Sequence, residues 1–226
     1  VNKVVTMVSI PRDTKIELSG YGTQKFNAAR SYGGVAGAIR EASKLCGVEI
    51  SHYVEIGFDG VMDLVDSIGG VEVDVPYYIN DPDAWVEIQP GYQTLSGWDA
   101  LGFARSRAYA DGDFTRTSNQ RLLIKAVVDK VLALDPAAMQ QAIRSGAKCV
   151  DTDMSLMDIL GLAMSFKDGF TMYSAMVPST TAYIGDVSYV ICDTQGLAEM
   201  MKIVEAGGDP STLQTTSGSA TGSSLG

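Results

Sequence analysis

Stretches with strand-like, period-two hydrophobic spacing and stretches with helical spacing succeed one another along the whole chain. They are broken at their junctions by Gly and Pro, and few folds accept that order. Residues 1–10 (VNKVVTMVSI) read as a strand, and residues 27–45 carry helical spacing that stops at Gly47. Residues 52–58 alternate as a strand. Residues 59–68 place Val61, Leu64, Val65 and Ile68 on one helical face, and residues 71–75 alternate again. Residues 76–95 read as an irregular hairpin rich in Pro, Asp and Tyr. A short helix then starts at Ser96, where Ser96 and Asp99 have capping-box spacing, and runs into Arg105. A long amphipathic helix is predicted over 115–134, with Leu122, Leu123, Val127 and Val131 as its stripe. Asp135 and Pro136 open the next helix, to about 147. A helix over 155–165, strands near 170–177 and 189–192, and a last helix over 195–206 complete the pattern. The alternation implies an α/β protein, a layered α/β/α arrangement with a central mixed β-sheet, helices on both faces and a small irregular hairpin. Residues 1–208 form the expected domain, and the Ser/Thr/Gly-rich residues 209–226 a disordered tail or linker.

The chain has 226 residues, 46% of them hydrophobic, enough for a sizeable core. Lys and Arg number 17 against 27 Asp and Glu, a formal net charge of −10. That balance excludes nonspecific nucleic-acid binding, which needs a broad basic face. No apolar run is long enough to span a bilayer, so this stretch reads as soluble. Because the chain opens in mid-strand at Val1, it reads as a piece whose upstream sequence has been lost. Cys46, Cys149 and Cys192 have no CxxC spacing, and with the single His52 they make no familiar zinc site. Free buried thiols and a Cys149–Cys192 bridge both stay open.

Four of the eight arginines, Arg105, Arg107, Arg116 and Arg121, fall within one short stretch of this acidic chain. Guanidinium keeps its charge at any working pH and offers a planar fork of donors, which suits phosphate or pyrophosphate. The alternative is a solvated face with surface ion pairs. Arg105 and Arg107 lie two apart and project to one side of an extended segment. Arg116 and Gln120 lie four apart and share a face at the start of a helix, where backbone donors add positive potential. Asp113 either orients an arginine or caps that helix. Pro11 should end the first strand and place Arg12 at its carboxyl edge, as a member of the site or as a turn residue paired with Asp13.

Five segments carry a resemblance: SIPRDT (residues 9–14), KFNAARSYGG (25–34), IGGVEVDVP (68–76), LSGWDALGFARSR (95–107) and the set Asp113, Arg116 and Gln120. Together they resemble the LytR-CpsA-Psr family, also known as cell-envelope-related transcriptional attenuators, over roughly residues 1–135. The resemblance implies a membrane-anchored phosphotransferase on the extracytoplasmic face. Such an enzyme moves an anionic glycopolymer (teichoic acid, capsular polysaccharide or arabinogalactan) from an undecaprenyl-pyrophosphate carrier to N-acetylmuramic acid of peptidoglycan, with pyrophosphatase activity as an accompaniment. The membrane partner is then a single N-terminal anchor absent from this stretch.

By position, Arg12, Arg107 and Arg116 resemble the family's catalytic arginines, with Asp113 as the supporting acid. Arg12, Lys25, Arg105, Arg107, Arg116 and Gln120 resemble its pyrophosphate-binding set. The prenyl tail asks for an apolar channel, which the stripes Val61, Leu64, Val65 and Leu122, Leu123, Val127 would line unless they are ordinary core. Asn119 stands where the family has an arginine, and Arg121 is the candidate replacement. The family's magnesium-binding aspartates lie upstream of SIPRDT, so Mg2+ is expected for the complete protein only. The alternative function is a non-catalytic polyprenyl-phosphate binding or regulatory module. A DNA-binding attenuator is disfavoured by the acidic charge and the lack of a basic recognition helix.

Overall fold

A computed structural model describes residues 3–107 and 113–213. In chain order the elements are β1 (Val4–Ser9), β2 (Lys15–Leu18), β3 (Gly22–Lys25), α1 (Asn27–Cys46), β4 (Val54–Ile56), α2 (Phe58–Ser67), β5 (Val71–Val75), β6 (Ile79–Asp81), β7 (Val86–Ile88) and β8 (Gly91–Leu95). They continue as α3 (Gly97–Arg105), α4 (Asp113–Ala133), α5 (Pro136–Gly146), β9 (Val150–Thr152), α6 (Leu156–Phe166), β10 (Thr171–Met176), β11 (Ser179–Ile184), β12 (Val187–Cys192), α7 (Thr194–Glu205) and a 3-10 turn, Pro210–Thr212. They fall into two compact units, Val1–Ser51 with Phe170–Gly226, and His52–Gly169.

The first unit joins the two ends of the chain. β1 pairs in parallel with β10, from Val4 opposite Thr171 to Ser9 opposite Met176, and the ladder stops before Pro11 as the missing N–H requires. β2 and β3 form one antiparallel hairpin and β11 and β12 another, and Thr14 bridges to Val190. Helix α1 closes where expected, at Gly47, whose φ of 69° is the left-handed ending that glycine adopts without cost. Ala175, Val177, Leu197 and Met200 make the core here, and Leu45, Cys192 and Leu213 pack against it. That contact corrects the boundary expected at Asp209. Asp209 caps the 3-10 turn with a 2.9 Å bond from the N–H of Ser211, and Leu213 is drawn to apolar surface. Residues 214–226 lie outside the described residues.

The second unit has its own core, with Val65, Val71, Val73, Val75, Ile79, Leu95, Phe103 and Leu123 among its buried residues. β5 pairs antiparallel with β8, β6 with β7, and β4 with β9. Helix α3 starts as its spacing predicts: Ser96 Oγ accepts the N–H of Asp99 at 3.2 Å and donates to Asp99 Oδ2 at 2.7 Å. Asp135 receives the N–H groups of Ala137 and Ala138 with Pro136 in the first turn of α5. Gly102 lets α3 lie directly on β7, since a Cβ there would stand 2.5 Å from Val86 Cβ.

The α/β class holds. The strands, however, pair as six two-stranded ladders among the described residues, where the sequence reading expected one central mixed sheet. Period-two alternation marks a segment as extended without naming its partner. β3, β9 and β11 were not read as strands, and β2 only as a short extension after the turn. β3, β9 and β11 (GTQK, VDT and STTAYI) carry few apolar residues in alternation, so the period-two signal does not register. Residues 76–95 resolve into three strands, not one irregular hairpin.

Candidate anion-binding site

In the second unit the arginine stretch is built by the junction of α3 and α4. Two side-chain amides on α4 grip the last turn of α3. Asn119 Nδ2 donates to the Phe103 carbonyl at 3.2 Å, and Gln120 Nε2 to the Ala104 carbonyl at 3.1 Å. These bonds satisfy carbonyls that a helix end leaves without intrahelical partners. Asn119 is fully buried and also accepts the Tyr77 hydroxyl at 2.9 Å. Asn119 therefore acts as a structural amide. Gln120 is exposed on the same helix.

Arg105 and Arg107 emerge exposed where α3 ends. The Arg105 guanidinium rests over the Phe58 ring, 4.3 Å from its centroid, a contact that favours the cation without neutralising it. Arg107 is held through its backbone: its N–H donates to Asp81 Oδ2 at 2.9 Å. The other Asp81 oxygen accepts the N–H groups of Asp83 and Ala84 at 3.1 and 3.2 Å. Asp81 is thus a buried clamp that fixes where the Arg107 side chain departs. The sequence reading passed over it, although an Asp before Pro is a turn-forming pattern. Arg116 and Arg121, both on α4, are buried to 9% and 8% exposure. Burial pushes the Arg121 guanidinium pKa down, and its Nη1 has no hydrogen-bond partner among the described residues. The Asp113 side chain lies outside the described residues.

Burial raises the pKa of the Asp81 carboxyl, but the bonds from Arg107, Ser106, Ala84 and Asp83 outweigh it and hold the group below its ordinary value of 3.8. A depressed carboxyl stabilises the fold above its unfolded-state pKa, and that contribution disappears as pH falls through the folded-state value. Asp81→Asn is therefore expected to cost about 1–3 kcal/mol at pH 7, because an amide N–H would face backbone donors. The loss should shrink in urea unfolding at pH 3, and equal losses at the two pH values would refute the assignment. Replacing Arg121 by Met is expected to raise stability by about 1–4 kcal/mol in the same assay, since it removes a buried charge that has no carboxylate paired to it among the described residues.

In the first unit Arg12 follows Pro11 with its side chain about half exposed. Its Nε lies 3.5 Å from Asp13 Oδ1, and Lys25 Nζ lies 3.1 Å from Asp13 Oδ2. Lys25 also stands 6.0 Å from the Tyr189 ring centroid. Of the two openings left by the sequence, the pairing with Asp13 is the one seen at Arg12, and Lys25 shares the same carboxylate. The backbone is pinned by Asn27 N–H to the Arg12 carbonyl at 3.0 Å and by Val190 N–H to the Asp13 carbonyl at 3.0 Å.

Of the apolar stripes, Val65 and Leu123 are buried core, and Val61, Leu122 and Val127 pack against that core partly buried. Leu64 Cδ1 lies 2.7 Å from where a Cβ on Gly146 would sit. Packing is the role these contacts show. Among the described residues no group of three or more His, Cys, Asp or Glu side chains is placed to hold a metal ion, and no helix is long and apolar enough to cross a membrane. The three cysteines are free. Burial, with Asp193 and Cys46 nearby, pushes the Cys192 thiol up to about 11, which leaves it an unreactive thiol.

The fold is an α/β protein in which Arg105 and Arg107 are exposed at the end of α3, and Arg116 and Arg121 are buried on α4. The LytR_cpsA_psr family model matches residues 1–206, and the chain belongs to that family. It is 32% identical over 192 residues to the probable cell wall biosynthesis protein LcpB of Corynebacterium glutamicum, covering 81% of this chain and 46% of that protein. It is 30% identical over 219 residues to the polyisoprenyl-teichoic acid–peptidoglycan teichoic acid transferase TagV of Bacillus subtilis, covering 90% of this chain and 56% of that one. The chain thus spans about half the length of these relatives. Among solved structures, B. subtilis TagV superposes with a TM-score of 0.78 at 26% identity, covering 88% of this chain and 82% of that one. TagT bound to LIIa-WTA superposes with a TM-score of 0.78 at 27% identity, covering 91% and 80%.

Proposed function

We propose that this chain is the catalytic part of a phosphotransferase that moves an anionic glycopolymer from a polyprenyl-pyrophosphate carrier to peptidoglycan at the extracytoplasmic face of the cell membrane. The observation that carries the reading is the accumulation of Arg105, Arg107 and Arg116 where α3 ends and α4 begins, with the Arg107 backbone held by a buried carboxylate in a chain of net charge −10. Evolutionary likeness supports it: relatives named as teichoic acid transferases match most of the chain. A solved structure of similar fold carries LIIa-WTA.

In the proposed reaction an acceptor hydroxyl attacks the phosphorus nearest the polymer. A new O–P bond forms, the bridging P–O bond breaks, and polyprenyl phosphate leaves with the bridging oxygen. Phosphoryl transfer asks a protein mainly for position and for positive charge on the equatorial oxygens. Arg105, Arg107 and Arg116 meet that need, with Arg12 and Lys25 as the further cations of the reading. Asp113, by its place ahead of Arg116, is the proposed supporting acid. Gln120 binds without charge. The carrier tail asks for apolar wall, and Val61, Leu122 and Val127 offer partly exposed surface for it. Magnesium belongs to the proposal as a cofactor of the complete protein, and no step is routed through it.

The test is incubation of the chain with polyprenyl-pyrophosphate-linked glycopolymer and peptidoglycan, with and without Mg2+, reading the phosphodiester product by mass spectrometry. Product formation with release of polyprenyl phosphate is expected. The buried, uncharged Asn119 favours a second reading, a carrier-binding module without chemistry. Tight binding of the lipid with neither transfer nor release would select it.

A further inference from the structure

The β6–β7 hairpin exposes aromatic surface that the anion site does not use. Along its ladder Ile79 and Asp81 face inward opposite Ile88 and Val86, while Asn80 and Glu87 stand opposite each other on the exposed face. Trp85, just before β7, is 77% exposed. Its φ of 55° makes it the one non-glycine residue with positive φ among the described residues. A bulky side chain in that conformation costs on the order of 1–2 kcal/mol unless its surroundings impose it. The surroundings do impose it. Asp81 holds the turn through Asp83 and Ala84, and the Trp98 indole donates to the Trp85 carbonyl at 3.1 Å. A tryptophan has been fixed in the open on a rigid turn.

Beside it lies a shallow, open cleft lined by Asn80, Pro82, Trp85, Val86 and Glu87. Its chemistry is specific: an indole face, an amide and a carboxylate, with no cation in the lining among the described residues. Glu87 is oriented by the Tyr78 hydroxyl, which donates to it at 2.9 Å. Asp83, exposed in the same turn, adds a second negative charge. Such a surface repels a polyanion. It suits an uncharged ligand with one apolar C–H face to stack on the indole and hydroxyls at its rim for the amide and the carboxylate. That description is a sugar ring.

We infer that the Trp85 cleft binds an uncharged saccharide, and that it discriminates against the anionic polymer which the guanidinium site attracts. The hairpin is joined to the anion site by two links: Val86 on Gly102 of α3 and Asp81 on the Arg107 backbone. A neutral glycan held here would be registered against α3. The inference extends the transferase reading by naming the chemistry of one substrate, while the binding itself needs no transfer.

The chain contains two tryptophans, and both belong to this patch, so intrinsic fluorescence reports on it directly. Titration with an N-acetylglucosamine tetramer is expected to give a saturable change in emission. Trp85→Ala should weaken binding at least about tenfold, followed by calorimetry or by the remaining Trp98 signal. Asn80→Ala should weaken it as well. Dextran sulfate of similar length should give no saturable change. No saturation with the tetramer, unchanged affinity in Trp85→Ala, or a saturable emission change with the sulfated polymer that Trp85→Ala abolishes would each overturn the inference. Saccharide binding in a protein that shows no transfer would leave it standing and strike the transferase reading instead.

Discussion

Arg107→Ala is expected to lower kcat/KM for glycopolymer transfer by about 100- to 1,000-fold, the range seen when a single preorganised charge on a transition-state oxygen is removed. The thermal midpoint should barely move. The Arg107 side chain is exposed, and what ties residue 107 into the fold is its backbone N–H on Asp81, which alanine keeps. Separation of activity from stability is therefore the signature of the prediction. Arg107→Lys should recover only part of the rate, because an ammonium restores charge without the planar fork. Full transfer by Arg107→Ala, measured on the same polyprenyl-linked substrate, would remove this arginine from the reaction.

Phe103→Ala should have the opposite profile, a loss of about 3–5 kcal/mol in urea unfolding that precedes any question of chemistry. Phe103 is fully buried in the core of the second unit, and truncation leaves a cavity that the surrounding β-branched side chains cannot easily fill. Its carbonyl also receives the Asn119 amide, so relaxation of α3 into the cavity would disturb the junction that presents Arg105 and Arg107. A midpoint within experimental error of the parent protein would mean that α3 is held by something other than this core.

The proposed anion-binding residues stand out in the sequence because their signal is local. Arg105, Arg107, Arg116 and Gln120 fall within sixteen positions of one another in a chain short of positive charge, and helical spacing alone assigns faces to Arg116 and Gln120. Caps were legible for the same reason: Ser96, Asp135 and Gly47 act on groups within four residues. Asp81 was not legible as a clamp, since its partner at Arg107 lies 26 residues away. The role of Asn119 was half legible. The sequence shows a missing charge, and only the fold shows the amide spanning Tyr77, 42 residues distant, and Phe103. The stripes Val61–Val65 and Leu122–Val127 were ambiguous because core and channel wall select the same residue types at the same spacing.

What the amino-acid order settled unaided is the succession of strands and helices, the α/β class and the accumulation of guanidinium in one stretch, all consequences of interactions that reach no further than a turn of helix or a step of strand. Tertiary packing alone determined which strands pair, how α3 is stapled to α4, and which carboxylate holds the Arg107 backbone. Those depend on groups far apart in the chain meeting in a low-dielectric interior, where a buried polar atom must find its partner or raise the energy of the whole fold.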